Sequence, residues 1–167
     1  MEDQEVTMEV QQQVIHKLND LIQLCKDGEQ GFRQAAGEVH SKQYKALMWA
    51  AAQRRKDFAS LLQEEVRKMG AKPARKGSFV GLLHRGWMNL LYQMSLHSDK
   101  VVVKECRRAE ESALNVYEDI FENKRLPGME PLLQNSFVHL IETRDRLNDI
   151  VTGGYKKEES EENLLHL

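Results

Sequence analysis

Cys106-Arg107-Arg108-Ala109-Glu110 decides how this chain is read. It stands inside a pattern in which Val103, Cys106, Glu110, Ala113, Tyr117 and Ile120 recur at spacings of three and four, the period of one helix face. Glu110 is the lone charge on that stripe. A second C-x-x-x-E, Cys25-Lys26-Asp27-Gly28-Glu29, lies on a stripe of Ile15, Leu18, Ile22, Cys25, Glu29, Phe32, Ala36 and Val39. Val14, Leu21, Gly28 and Ala35 widen that face. The two stretches read as equivalent positions in a duplicated helical hairpin.

The flanking segments complete the hairpins. Ser41 fits the N-cap of a second helix, whose stripe is Tyr44, Met48, Ala51, Arg55, Phe58, Leu62, Val66 and Met69. Gly70 follows the last apolar residue and suits a helix C-terminus. Asp99 can cap the helix that carries Cys106 and Glu110. Leu126-Pro127-Gly128 is a turn, and Pro131 suits the first turn of a helix with the stripe Leu133, Phe137, Leu140, Arg144, Leu147 and Val151. Gly153-Gly154 ends it. Between the hairpins, Gly70 to Ser78 reads as a loop, and residues 79–96 read as a shorter helix.

These signals predict an all-α fold. Eighteen helical residues reach about 27 Å, so the link between the second and third long helices can run the length of a bundle. The expected architecture is a ferritin-like up-down-up-down four-helix bundle with a long helical crossover between helices 2 and 3. Residues 1–11 are expected to form a flexible N-terminus, 12–152 the bundle with its crossover helix at about 79–96, and 153–167 a flexible acidic tail.

Composition narrows the function. The chain has 167 residues, with 24 basic against 26 acidic side chains and a net charge of -2. That balance argues against a nucleic-acid binder, which carries a basic surplus. No apolar run approaches the roughly 20 residues that cross a bilayer, so no membrane partner is expected. The acidic start, Met1-Glu2-Asp3-Gln4-Glu5, does not read as a signal peptide. Two cysteines on helical stripes make no disulfide framework, and a reducing cytoplasm is the expected location.

Ordering the stripe charges by distance from the hairpin turns puts Glu29 level with Arg55, and Glu110 level with Arg144. The expected result is a buried charge layer of Glu29, Arg55, Glu110 and Arg144. In it Glu110 pairs with Arg144, or crosses the bundle to Arg55.

This layout resembles the di-iron ferritin-like bundles, which place a Glu on one helix of each pair and a Glu-x-x-His on the other. Glu29 and Glu110 match the lone carboxylates. Arg55-x-x-Phe58 and Arg144-x-x-Leu147 stand where Glu-x-x-His belongs, and no Glu-x-x-His occurs in the sequence. The span from about 15 to 152 is also similar to the bacterial ferritin-like family catalogued as domain of unknown function 2383. That resemblance rests on Leu18-Asn19-Asp20-Leu21, on Cys25 through Phe32 and on Leu83-His84-Arg85-Gly86-Trp87-Met88. It implies a fold and no established activity.

A di-metal centre needs about six anionic or imidazole ligands around two cations. Here guanidiniums would occupy the place of the metal. Arg keeps its charge inside a protein and offers a fork matched to carboxylate. The expectation is therefore a non-enzymatic bundle with no cofactor, acting through protein contacts as a homo-oligomer or with a protein partner. The competing expectation is an iron- or manganese-binding protein that stores metal or handles oxygen or peroxide as a di-iron oxidoreductase. Its weak ligand candidates are Glu29, Glu110, His139 and Glu142. His139 and Glu142, three residues apart, also read simply as surface neighbours. His84, Arg85 and Trp87 are expected to dock the crossover helix on the bundle. Cys25 and Cys106 read as small core side chains ahead of redox sensors, which need exposure and a lowered thiol pKa.

Overall fold

The computed structural model describes residues 2–75, 98–123, 126 and 128–154, with side chains described from residue 8 onward. Four helices make up these residues: α1 Glu2–Glu38, α2 Lys42–Lys68, α3 Asp99–Glu122 and α4 Glu130–Thr152. No strand occurs among them. The expected helix at 79–96, with His84, Arg85 and Trp87, lies outside the described residues, as does the tail from residue 155.

The helix ends follow local chemistry. Ser41 adopts extended backbone, and its hydroxyl accepts from the Tyr44 amide at 3.3 Å, satisfying one of the donors left free at the start of α2. Gly70, at φ 76°, turns the chain off α2, and the Ala71 amide reaches back to the Val66 carbonyl. Gly153, at φ 80°, does the same for α4, and Pro131 sits in that helix's first turn. α1 begins at Glu2, so residues 2–11 of the segment expected as a flexible N-terminus continue the helix. Its described side chains stay outside the core, with Met8 and Val10 exposed.

Asp99 departs from expectation. Ser98 holds the N-cap position of α3 without a side-chain bond, and Asp99 is the helix's first residue. The Asp99 carboxylate instead accepts the backbone amides of His40 and Ser41, each at 2.8 Å. It thereby ties the start of α3 to the turn between α1 and α2. Burial alone would raise this carboxyl, but the two amides and the His40 ring outweigh it and hold it below the usual 3.8. A depressed carboxyl contributes stability that is complete above its unfolded value and is lost as pH falls through the folded one. We expect Asp99→Ala to cost about 2 kcal/mol at neutral pH, the scale of hydrogen bonds to a charged group. Urea unfolding of wild type and variant across a pH series should show a constant gap at neutral pH that shrinks below about pH 4. A gap that persists undiminished into acid contradicts the assignment.

α1 packs along α2, and α3 along α4; α1 also borders α3, and α2 borders α4. Together they make a four-helix bundle in which α2 and α3 face each other across the core. Each helix contributes apolar residues on a seven-residue repeat, with one step skipped in α2 and in α3: Leu18, Cys25, Phe32 and Val39; Met48 and Leu62; Val103 and Tyr117; Leu133, Leu140 and Leu147. The gaps in the second and third series, between Met48 and Leu62 and between Val103 and Tyr117, fall at Arg55 and Glu110.

Candidate functional site

Arg55 and Glu110 occupy core positions because their helices offer no alternative phase. Arg55 falls seven after Met48 and seven before Leu62; Glu110 falls seven after Val103 and seven before Tyr117. Both are buried, at 5% and 1% exposure. Arg55 Nη2 donates to Glu110 Oε2 at 2.8 Å, bridging α2 and α3 across the bundle. Each charge therefore meets its partner without solvent, the condition under which a buried pair is tolerated.

The surroundings are small and polar. Gly28 on α1 gives Arg55 its room: a Cβ there would stand 3.1 Å from Arg55 Nε and 3.3 Å from Cδ. The Cys25 thiol and the Tyr117 hydroxyl also lie close to the guanidinium. Tyr117 in turn shares a 2.7 Å hydrogen bond with the Ser136 hydroxyl of α4. Arg55 Nη1 is buried with no hydrogen-bond partner among the described residues.

Electrostatics separates the two partners. Burial pulls the Arg55 guanidinium down, and the Glu110 carboxylate, with Cys25 and Tyr117 adding to it, more than offsets that; Arg55 is raised and stays charged. Burial raises the Glu110 carboxyl, and Arg55 offsets this only in part. Burial likewise raises the thiols of Cys25 and Cys106, away from the thiolate that redox chemistry needs. Both cysteines are free and buried.

The other two members of the expected layer stand elsewhere. Glu29 is half-buried at the flank of α1 and pairs with Arg33 at 3.0 Å. Arg144 is half-buried on α4, and its Nε donates to Asp145 at 2.7 Å. The reason is helix phase. Between Cys25 and Phe32 the core takes Gly28, and between Leu140 and Leu147 it takes Thr143. Glu29 and Arg144 are one residue further on and rotate about 100° away from the core at 3.6 residues per turn. The layer is thus a single pair across α2 and α3, not a duplicated set of four.

His139 and Glu142 are adjacent on α4, with His139 Nδ1 3.0 Å from Glu142 Oε2. Arg54 of α2 joins them: its Nη1 lies 2.9 Å from His139 Nδ1 and donates to Glu142 Oε2 at 3.1 Å. The hydrogen bond from His139, then that from Arg54, holds the Glu142 carboxyl below its usual value. This surface cluster stands over a small void of about 10 Å³ whose walls include Arg55, Glu110 and Thr143. Sequence reading placed Gly28 on the apolar face of the first helix, where it is buried, without linking it to Arg55, and it missed Arg54, Ser136 and Thr143 as contributors here.

The residues present do not fit the di-metal centre implied by the ferritin-like resemblance. Glu110 is engaged by a guanidinium at hydrogen-bond distance, Glu29 points to Arg33, and His139 meets Arg54. Among the described residues no three of His, Cys, Asp and Glu form a group able to hold a metal ion. No helix among them is long and apolar enough to cross a membrane.

Residues 13–123 match the family described as Domain of unknown function (DUF2383), and the chain belongs to that family. The match takes in most of α1, all of α2 and α3, and with them Arg55 and Glu110. No curated protein matches the chain.

Proposed function

We propose that this chain is a ferritin-like helical bundle whose centre is closed by a salt bridge, and that it acts through protein contacts without catalysis or a resident metal. The observation that carries the reading is the 2.8 Å Arg55–Glu110 pair, which spends the best-placed core carboxylate on a guanidinium. Chain direction supports the ferritin-like part. Arg33 lies over Trp49 while Gln11 reaches Met69, so α1 and α2 run opposite ways. Arg107 meets Asn148 while Tyr117 meets Ser136, so α3 and α4 do the same. Asp99 sits at the α1–α2 turn and Arg55 meets Glu110, so α2 and α3 run in the same direction, an up-down-down-up order in place of the expected up-down-up-down. Parallel second and third helices need a connection the length of the bundle, and residues 69–98 are long enough to make one.

Exposed apolar side chains support the contact role. Trp49 and Leu61 on α2 and Val138 on α4 are each about half exposed, at 48%, 50% and 44%. Tryptophan is the residue type most enriched among interface anchors. The reading extends to a cytoplasmic bacterial protein that self-associates.

Elemental analysis of protein purified without chelator tests the metal half. We expect iron and manganese far below one ion per chain. Two ions per chain, lost in Glu110→Ala, would contradict it. Light scattering during size-exclusion chromatography tests the contact half: an oligomer that Trp49→Ala or Leu61→Lys splits is expected, and a monomer at every concentration argues against self-association.

A further inference from the structure

We propose that the void between α2, α3 and α4 is a binding site for one water molecule, which takes the free Nη1 donor of Arg55 and joins the buried pair to the surface cluster of Arg54, His139 and Glu142. Three observations motivate it. The void measures about 10 Å³, at the lower bound of the space one ordered water needs. Both members of the ion pair line it, with Thr143 and His139 as further polar groups and Ala51 and Leu140 as apolar ones. The Arg55 guanidinium carries a buried donor, Nη1, without a partner among the described residues.

An orphaned donor on a charged group is costly, and buried polar groups of this kind are nearly always satisfied by protein or by ordered water. A buried water holds its place with two to four polar partners, a number this lining offers. Thr143 Oγ1 donates its own proton to the His139 carbonyl at 2.8 Å, which leaves its lone pairs able to accept.

Charge decides the ligand. Arg54, Arg55 and Glu110 line the void; Arg55 is paired with Glu110, and Arg54 with Glu142, which stands outside the lining. An anion placed beside Arg55 would also stand beside the Glu110 carboxylate, and a cation beside Glu110 would meet Arg55. A neutral molecule that both accepts and donates suits the site, and the volume restricts it to water. The mouth of the void is polar and half-exposed at His139, so this water can exchange with bulk past the Arg54–His139–Glu142 cluster.

A crystal structure at a resolution that orders water is the test. The expected result is a density peak about 3 Å from Arg55 Nη1 within the walls formed by Thr143 and Ala51. Ala51→Val, which fills the void, should abolish the peak while leaving the Arg55–Glu110 pair in place. A dry void in the wild-type crystal, or Arg55 Nη1 bonded to a protein acceptor there, overturns the proposal. The wild-type crystal decides alone if Ala51→Val fails to fold. In solution, the Ala51 methyl of the wild-type protein should show a through-space contact to a bound water, and absence of that contact would also overturn the proposal.

Discussion

Glu110→Ala is expected to lower the unfolding free energy by about 3–5 kcal/mol, the cost of leaving one partner of a buried pair uncompensated. Arg55 is 5% exposed, cannot lose its proton, and is hemmed in by Gly28, Cys25 and Tyr117, so its guanidinium cannot swing out into bulk solvent without opening the bundle. The double variant Glu110→Leu with Arg55→Met removes both charges and replaces them with apolar side chains of similar bulk. It should recover most of the loss and can exceed wild type, because the desolvation of two ions is no longer required. Arg144→Met serves as the contrast. Arg144 is half-exposed and pairs with its neighbour Asp145, and such pairs contribute about 0–1 kcal/mol. Denaturant unfolding of the four proteins checks all three statements. A loss below about 1 kcal/mol for Glu110→Ala would place the carboxylate in solvent and dissolve the pair.

Gly28→Leu should be nearly as damaging. At Gly28 even a single carbon stands 3.1 Å from Arg55 Nε, and the remaining leucine carbons would have to occupy the space of the guanidinium. Overpacking of a close-packed core costs about 1–3 kcal/mol. Here displacement of Arg55 also loosens its bond to Glu110, so a loss of about 3 kcal/mol or more is expected. Gly28→Ala separates crowding from helix propensity. The contact is with the shaft of a side chain that can shift by tenths of an ångström, and alanine gains about 1 kcal/mol over glycine in a helix. The two effects should nearly cancel. Gly37, also in α1, has nothing within 4 Å of its added Cβ, so Gly37→Ala should stabilise by up to about 1 kcal/mol. Equal responses at Gly28 and Gly37 to the same substitution would show that Arg55 does not pack on α1.

Why half of the charge layer was legible follows from the heptads. In α2 and α3 the apolar residues seven apart bracket Arg55 and Glu110 directly, so any helical reading places both in the core. In α1 and α4 the fixed points are Cys25 and Phe32, and Leu140 and Leu147. Between them a step of three or a step of four fits the pattern equally well. The step of four selects Glu29 and Arg144, together with Phe137 and Val151. The fold takes the step of three and buries Gly28, Ser136, Thr143 and Ile150. Three of those four carry no large apolar side chain, so hydropathy could not reveal the phase. Ser136 is buried because Tyr117 needs a partner, and Gly28 because Arg55 needs space. Both reasons lie on another helix and depend on packing the local pattern does not encode. The helix ends were more readable. Ser41, Gly70, Pro131 and Gly153 act through their own backbone and its nearest amides, whereas Asp99 acts on a turn 58 and 59 residues away in sequence.

The coupling free energy between positions 110 and 55, set beside that between 110 and 144, tests the central claim most directly. Two double-mutant cycles built on Glu110→Ala, one with Arg55→Met and one with Arg144→Met, give both values from unfolding curves alone. Contacting residues couple by up to about 3 kcal/mol, and independent sites add within about 0.5 kcal/mol. The account predicts a coupling near the upper figure for Arg55 and one within the additive range for Arg144. Coupling to Arg144 with none to Arg55 would restore the duplicated layer and contradict the single pair between α2 and α3.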